Sequence, residues 1–246
     1  MARVAPRKQE DESLKNRIDR MVDEEQQYYS LTKKVWDILA PFYNIGTAPI
    51  SALRDQVVDF TNARGGSRIL DVATGTGEQA FAFAKKGFDV TGIDLSEAMF
   101  KVAKKNNKYP NARFQVADAT KLPFEDNAFD VSCVSFALHD MPSTIQEKVL
   151  KEMVRVTDPG GLVVVVDYAL PKNKMGRFLV YRFVRLYEAK YYEKFIKSDL
   201  RALLEKSGIA IREERRVLLG AGILLKGTKA DGSAVLRGGI LQELPM

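Results

Sequence analysis

The sequence predicts a doubly wound, Rossmann-like α/β sheet with helices on both faces and an antiparallel hairpin at its C-terminal end. Three observations carry this. Strand-like and helix-like segments alternate from Arg68 to Lys206. The strand-like segments are apolar on both faces, most plainly in the four consecutive valines Val163 to Val166, as a parallel sheet covered on each side requires. A glycine-rich turn, Gly75-Thr76-Gly77, joins the first strand to its helix, the place where such sheets hold ligands.

The elements follow in order. The first 27 residues are dense in both signs of charge and poor in apolar side chains, so a charged flexible arm is expected over 1–27. Leu31, Val35, Ile38 and Leu39 recur at helical spacing between Tyr28 and Leu39 before Pro41 interrupts, and a second helix runs from Pro49 to Asn62 and stops at Gly65-Gly66. These two form an N-terminal lid over 28–64. Strands are expected at Arg68 to Val72, Asp89 to Asp94, Ala112 to Val116, Phe129 to Phe136 and Leu162 to Asp167. Between them lie helices at Glu78 to Lys86, closed by Gly87, at Glu97 to Asn106, capped by Ser96, and at Thr144 to Val156. After Leu170 the alternation breaks for a basic, aromatic insertion over 172–197, then resumes with a helix from Ser198 to Lys206 stopped by Gly208. Ile209 to Leu218 and Ile223 to Leu225 flank Gly220-Ala221-Gly222 as a terminal hairpin. The expected organisation is the arm, one domain over 28–227, and a loose tail over 228–246.

Composition narrows the chemistry. Of 246 residues 46% are hydrophobic and 28% charged, the balance of a soluble globular protein. One cysteine, Cys133, and one histidine, His139, exclude an internal disulfide and any Cys/His metal cluster, so no metal is expected. The apolar run around Leu162 to Val166 falls well short of the roughly 20 residues that cross a bilayer. Met1 to Lys8 is basic but has no apolar stretch behind it, so no secretory signal is read and a cytoplasmic location is expected. The net charge of +6 is concentrated: Lys172 to Lys197 holds eight Lys and Arg against Glu188 and Glu193.

The turn after the first strand reads Asp71-Val72-Ala73-Thr74-Gly75-Thr76-Gly77. Its glycines let a ligand approach the main chain, and the helix that follows offers free N–H groups. Gly75-x-Gly77-x-x-Ala80 with Asp94 some 20 residues from the turn also satisfies the dinucleotide fingerprint, so the loop alone leaves a nicotinamide cofactor and S-adenosylmethionine both open. Asp71, four residues before Gly75, suits a ligand ammonium and repels a pyrophosphate. Asp118-Ala119 follows the third strand, where a carboxylate can accept from an adenine amino group.

With Ile69-Leu70-Asp71-Val72-Ala73-Thr74-Gly75-Thr76-Gly77, Gly92-Ile93-Asp94-Leu95-Ser96, Leu122-Pro123-Phe124, Asp130, Ser135-Phe136-Ala137-Leu138 and Pro159-Gly160-Gly161, the sequence resembles the class I S-adenosylmethionine-dependent methyltransferases. The resemblance spans most of Tyr28 to Lys226 and is most specific for the ubiquinone and menaquinone C-methyltransferase-like (UbiE-like) branch. It implies the class I methyltransferase fold and S-adenosyl-L-methionine as cofactor. The family loop usually has glycine where this chain has Ala73. Carried over by resemblance, Asp71, Ala73, Gly75 and Gly77 surround the methionine moiety, and Asp94 takes the ribose hydroxyls. Leu95 and Met99 lie near the adenine, Asp118 and Ala119 face its edge, and Ser135 lines the sulfonium side.

Methyl transfer to a phenol or ring carbon also requires a proton to leave, so a base is expected at the carboxyl end of the fourth or fifth strand. His139 and Asp140 follow the fourth, and Asp167 and Tyr168 the fifth. His139 is the first choice because an imidazole titrates near neutrality; Tyr168 and Tyr43 complete the candidate catalytic set, Tyr43 as part of the lid. The expected acceptor is a small, hydrophobic, quinol-like or phenolic molecule. The alternatives are N-methylation of a phospholipid headgroup or small amine, and a cofactor-binding module without turnover. Ser135-Phe136-Ala137-Leu138 is unlike the Asp/Asn-Pro-Pro-aromatic motif of nucleobase amino methyltransferases, so no nucleic-acid substrate is expected. Aromatic residues interleaved with Arg177, Arg182, Arg185, Lys190, Lys194 and Lys197 over 175–197 suit a cap that closes the site and touches a membrane surface transiently. Oligomeric state is not read from the sequence.

Overall fold

A computed structural model describes residues 7–44, 50–178, 182 and 191–230. Seven strands form one sheet: β1 (Arg68–Val72), β2 (Asp89–Asp94), β3 (Ala112–Val116), β4 (Phe129–Ser135), β5 (Thr157–Tyr168), β6 (Ile209–Val217) and β7 (Gly222–Lys229). Their order is β3-β2-β1-β4-β5-β7-β6, parallel through β5 and antiparallel at β7 and β6. The strand order reverses between β1 and β4, and the crevice at their carboxyl ends is where such sheets bind ligands.

Two-sided burial explains the strand sequences. Along β5, Val163 and Val165 enter one core and Val164 and Val166 the other, all at 0% exposure. Each buried valine contributes about 1.5–3 kcal/mol. The first core is closed by α5 (Ser143–Val156), α6 (Tyr192–Lys197) and α7 (Leu200–Lys206), through Met153, Phe195 and Leu204. The second is closed by α2 (Ser51–Thr61) and α3 (Glu78–Lys85), through Phe60 and Phe83. Helix α4 (Glu97–Asn106) starts where Ser96 Oγ accepts the Met99 amide at 3.2 Å, the capping bond its sequence predicts.

Several boundaries differ from the sequence expectation. Arg7–Leu39 is one helix, α1, so the arm expected over 1–27 is helical from Arg7; Ile18, Met21 and Val22 on it remain exposed. The expected Ser198 to Lys206 helix starts at Leu200, where Asp199 accepts the Ala202 amide at 3.1 Å. Pairing of β5 with β4 begins at Thr157, and residues 158–161 bulge before it resumes at Leu162. The hairpin is present, but β7 lies inside it against β5 and extends to Lys229, two residues into the segment expected as tail. The rest of that tail, 231–246, and residues 179–181 and 183–190 of the cap insertion lie outside the described residues.

Helix α1 crosses the carboxyl edge of the sheet. Lys148 Nζ on α5 meets Glu25 at 2.7 Å, Tyr29 Oη lies 3.1 Å from Thr120 Oγ1 after β3, and Ser96 Oγ after β2 donates to Asp37 Oδ1 at 2.8 Å. These bonds hold α1 along that edge. Among the described residues no helix is long and apolar enough to cross a membrane.

Candidate functional site

The glycine loop is built by backbone conformation first. Beyond β1 the chain passes through left-handed values at Ala73 (φ 53°), Gly75 (57°) and Gly77 (86°). Glycine accepts such a φ freely, whereas alanine is strained by about 1–2 kcal/mol. The Thr74 amide donates to Ile93 O at 2.8 Å, and the Gly75 amide donates to Asp94 Oδ2 at 2.8 Å. Asp94 Oδ1 accepts the Ser96 amide, also at 2.8 Å, so this one carboxylate ties the loop after β1 to the start of α4.

Two clefts meet at Ala73. The first, about 510 Å³, is lined by Tyr43, Arg54, Asp71, Thr76, Ser135 and Phe136 among others. The second, about 340 Å³, is lined by Tyr28, Tyr29, Asp94, Leu95, Asp118 and Ala119. Asp71 is 1% exposed and accepts from Thr74 Oγ1 at 2.5 Å. Burial pushes its carboxyl up to about 7, the Thr74 hydrogen bond works against this, and the charge of Asp94 adds to it. Burial also raises Asp94, against the amides of Ser96, Gly75 and Leu95. A buried carboxylate at Asp71 and a half-buried one at Asp94 favour a ligand that brings positive charge to one and hydroxyl donors to the other.

The segment that follows α1 is tied to this loop. Asn44 Nδ2 donates to Glu78 Oε1 at 3.0 Å and Thr76 Oγ1 donates to Asn44 Oδ1 at 2.5 Å. A Cβ on Gly75 would lie 3.7 Å from the Tyr43 ring, which stacks edge-on against Trp36 at 5.7 Å. Burial pushes the Tyr43 phenol up to about 12, so it remains a neutral hydroxyl. In the second cleft Asp118 Oδ1 accepts both the amide and the hydroxyl of Thr120 at 2.8 Å, and Thr120 in turn meets Tyr29.

A third cluster forms where β4 and β5 end. His139 Nδ1 lies 2.7 Å from Asp167 Oδ1, and Asp167 Oδ2 accepts the His139 amide at 3.2 Å. The Tyr168 amide donates to Asp167 Oδ1 at 2.7 Å. On the other side His139 Nε2 lies 3.4 Å from Asp140 Oδ2. Burial lowers the imidazole's proton affinity, but the charge and hydrogen bond of Asp167 and the charge of Asp140 outweigh it, and the net shift is upward. The two carboxylates thus favour the protonated form of the ring. Its ring contacts Tyr168 at 4.8 Å and Tyr192 at 5.5 Å, and Tyr168 contacts the cleft-lining Phe136 at 5.0 Å.

Of the residues read from sequence, Asp71, Ala73 and Ser135 line the first cleft, and Asp94, Leu95, Asp118 and Ala119 the second. Gly75 and Gly77 shape the turn between them. Met99 is 3% exposed on α4 and lines neither cleft. His139 and Tyr168 come together, and Tyr43 lies over Gly75 in the wall of the first cleft. Sequence reasoning passed over Asp167 as the partner of His139, and Arg54 as a cleft residue. Asp167 had a signal, an acid closing a valine-rich strand; Arg54 had none, being an ordinary position on an amphipathic helix.

Comparison with known proteins agrees with this geometry. Residues 69–161 match the family model described as a methyltransferase domain. The demethylmenaquinone methyltransferase of Renibacterium salmoninarum is 40% identical over 142 residues, covering 56% of this chain and 58% of that protein. Its Staphylococcus aureus namesake is 38% identical over 148 residues, covering 57% and 61%. The chain thus spans about three fifths of the length of the curated relatives it matches. A SAM-dependent methyltransferase structure from Aquifex aeolicus superposes with a TM-score of 0.57 at 22% identity, over 72% of this chain and 89% of that one. Residues 69–161 are thus similar to a methyltransferase domain, and the sheet that carries them has the class I methyltransferase fold.

Proposed function

We propose that this chain transfers the methyl group of S-adenosylmethionine to a small, hydrophobic, quinol-like or phenolic acceptor, on carbon or oxygen. The observation that carries the reading is the pair of clefts meeting at Ala73, one holding Asp71 and Arg54 and the other Asp94 and Asp118. The first pair complements the ammonium and carboxylate of an amino acid, the second the ribose hydroxyls and amino group of an adenosine. When bound, the cofactor supplies an electrophilic methyl on a sulfonium whose charge disappears on transfer. The protein's share is to align the reactants and exclude water, which the lid residues Tyr28 and Tyr43 do from above.

The acceptor's hydroxyl proton needs a destination. His139, whose protonated form the two carboxylates favour, is not its first destination in this reading. Its role is to hold Asp140, the more open of its two carboxylates, with a side chain 30% exposed against 0% for Asp167. Asp140 is the proton acceptor in this reading, Asp167 fixes the ring, and Tyr168 and Tyr192 wall the ring in. The names of the relatives support a quinol acceptor over an amine or a phospholipid headgroup, and nucleic acid is not proposed. Transient membrane contact through 175–197 belongs to the same reading.

The test is calorimetry of S-adenosylmethionine, S-adenosylhomocysteine and NAD against the wild type and Asp94→Asn. Binding of both sulfur ligands but not NAD, weakened by the substitution, is expected; NAD binding in their place overturns the cofactor. Turnover is then assayed with a short-chain naphthoquinol, a simple phenol and a primary amine. Methylation of the amine alone would replace the acceptor class, and tight binding without any turnover would leave a cofactor-binding module.

A further inference from the structure

The connection between β6 and β7 is built against the usual preferences of its residues. Leu218 and Leu219 both adopt left-handed backbone, with φ of 51° and 55°, a region unfavourable to branched side chains. Leu218 turns back onto the second core, whereas Leu219 is 101% exposed. A tight turn at this site would take asparagine or glycine more readily, so local folding does not account for a leucine at its tip.

The turn has neighbours of the same character. A Cβ on Gly220 would lie 3.6 Å from Pro171 Cα, and one on Gly176 would lie 2.8 Å from Pro171 Cβ. The turn and the helical segment 174–178 therefore flank Pro171 and share one corner, which the Arg216 guanidinium secures by donating to Leu170 O at 3.2 Å. On that segment Met175 is 70% and Phe178 60% exposed. Lys172, Lys174 and Arg177 on this stretch are also exposed, and no carboxylate occurs between Leu170 and Arg182. Gly222 pairs with Tyr168, so the corner lies at the carboxyl edge of the sheet, the edge that carries the clefts and the His139 cluster.

We propose that Leu219, Met175 and Phe178 form a membrane-docking point that inserts into an anionic bilayer surface, with the exposed Lys172, Lys174 and Arg177 contacting lipid headgroups. Apolar tips beside exposed Lys and Arg are what an interfacial anchor needs: the hydrocarbon region takes the tips and the anionic headgroups take the charges. A partner protein burying three apolar side chains would be expected to offer matching acids to these three cations, whereas an anionic membrane offers them everywhere. The proposal deepens the functional reading, since it brings the cleft edge to the surface in which a hydrophobic quinol resides. Its test reads vesicle binding and does not depend on turnover.

The full chain is sedimented with phosphatidylcholine vesicles, with and without about one third phosphatidylglycerol. Binding to the anionic vesicles that fades at high salt is expected. Leu219→Asn suits the left-handed turn better, so its thermal stability should match or exceed wild type while vesicle affinity falls about tenfold. Met175→Ser with Phe178→Ser should lower affinity by at least as much. Wild-type protein that ignores anionic vesicles, or Leu219→Asn protein that binds them undiminished, overturns the proposal. So does self-association, seen by analytical ultracentrifugation, that Leu219→Asn abolishes while vesicle binding is absent. Cofactor calorimetry on the same samples keeps the two readings apart: vesicle binding by a protein that ignores S-adenosylmethionine would sink the methyltransferase reading and leave the docking point standing.

Discussion

Asp71 makes cofactor binding pH-dependent, with a sign and size that follow from its burial. Its carboxyl is pushed up to about 7 in the free protein, whereas a ligand ammonium is held only by the ionised form. Affinity should therefore be constant above pH 7 and fall about tenfold per unit below it, to roughly a hundredth of its plateau at pH 5. At pH 7 binding should release about half a proton, read by calorimetry in buffers of different ionisation enthalpy. The same shift bears on stability. Between the ordinary carboxylate value of 3.8 and about 7 the folded protein holds a proton that the unfolded chain has lost, so this group's contribution falls as pH rises through that window. Three units at 1.36 kcal/mol each give a penalty of about 4 kcal/mol above pH 7, an upper bound. Asp71→Asn should remove it, giving a more stable protein at pH 8 that binds S-adenosylmethionine weakly and without pH dependence. Wild-type affinity that is flat from pH 5 to 8, or an equal slope in Asp71→Asn, would refute the reasoning.

Three further outcomes are expected. Ala73→Gly relieves a left-handed alanine and should raise stability by about 1 kcal/mol in denaturant melts, with cofactor affinity retained. Asp140→Asn should lower kcat for a phenolic acceptor by about a hundredfold or more while leaving calorimetric cofactor binding unchanged; equal loss of both would make Asp140 a structural residue. Asp167→Asn removes the main support of the His139 cation. In the wild type the raised folded value means that this group's stabilisation is complete below about pH 6.5 and is lost as pH rises through the folded value. The wild type minus Asp167→Asn stability difference should shrink accordingly above neutrality, and a difference that is constant from pH 5 to 9 would count against the clamp.

What was legible in the sequence is what one segment decides by itself. Asp89–Asp94, Glu97–Asn106 and Ala112–Val116 appear with the boundaries their patterns predict, because caps, turn glycines and two-sided apolar runs act over a few residues. The glycine loop was legible for the same reason: a left-handed turn ahead of a helix N-terminus is local chemistry. Pairings between distant segments were not. Nothing near Asp94 announces that it grips the Gly75 amide 19 residues back, and nothing near His139 names Asp167, 28 residues on, as its partner. Helix α1 escaped notice from Arg7 to Gln27 because its few apolar residues show no period, only a mixture of charges that a helix and an irregular arm share.

The hairpin shows how such gaps close once burial is considered. Either of its strands could have docked on β5 as far as the turn is concerned. Yet Ile223, Leu224 and Leu225 are buried, while Glu213, Glu214, Arg215 and Arg216 line the other strand. An inner strand must satisfy both cores, and an edge strand is protected from wrong pairing by charge. Only β7 inside and β6 outside meets both conditions. That choice turns the β6–β7 connection toward the carboxyl edge of β5 and so places Leu219 beside Pro171. A topology selected by burial thus brings an exposed leucine to the edge that carries the site, and this makes its solvent-facing side chain a question about function as well as stability.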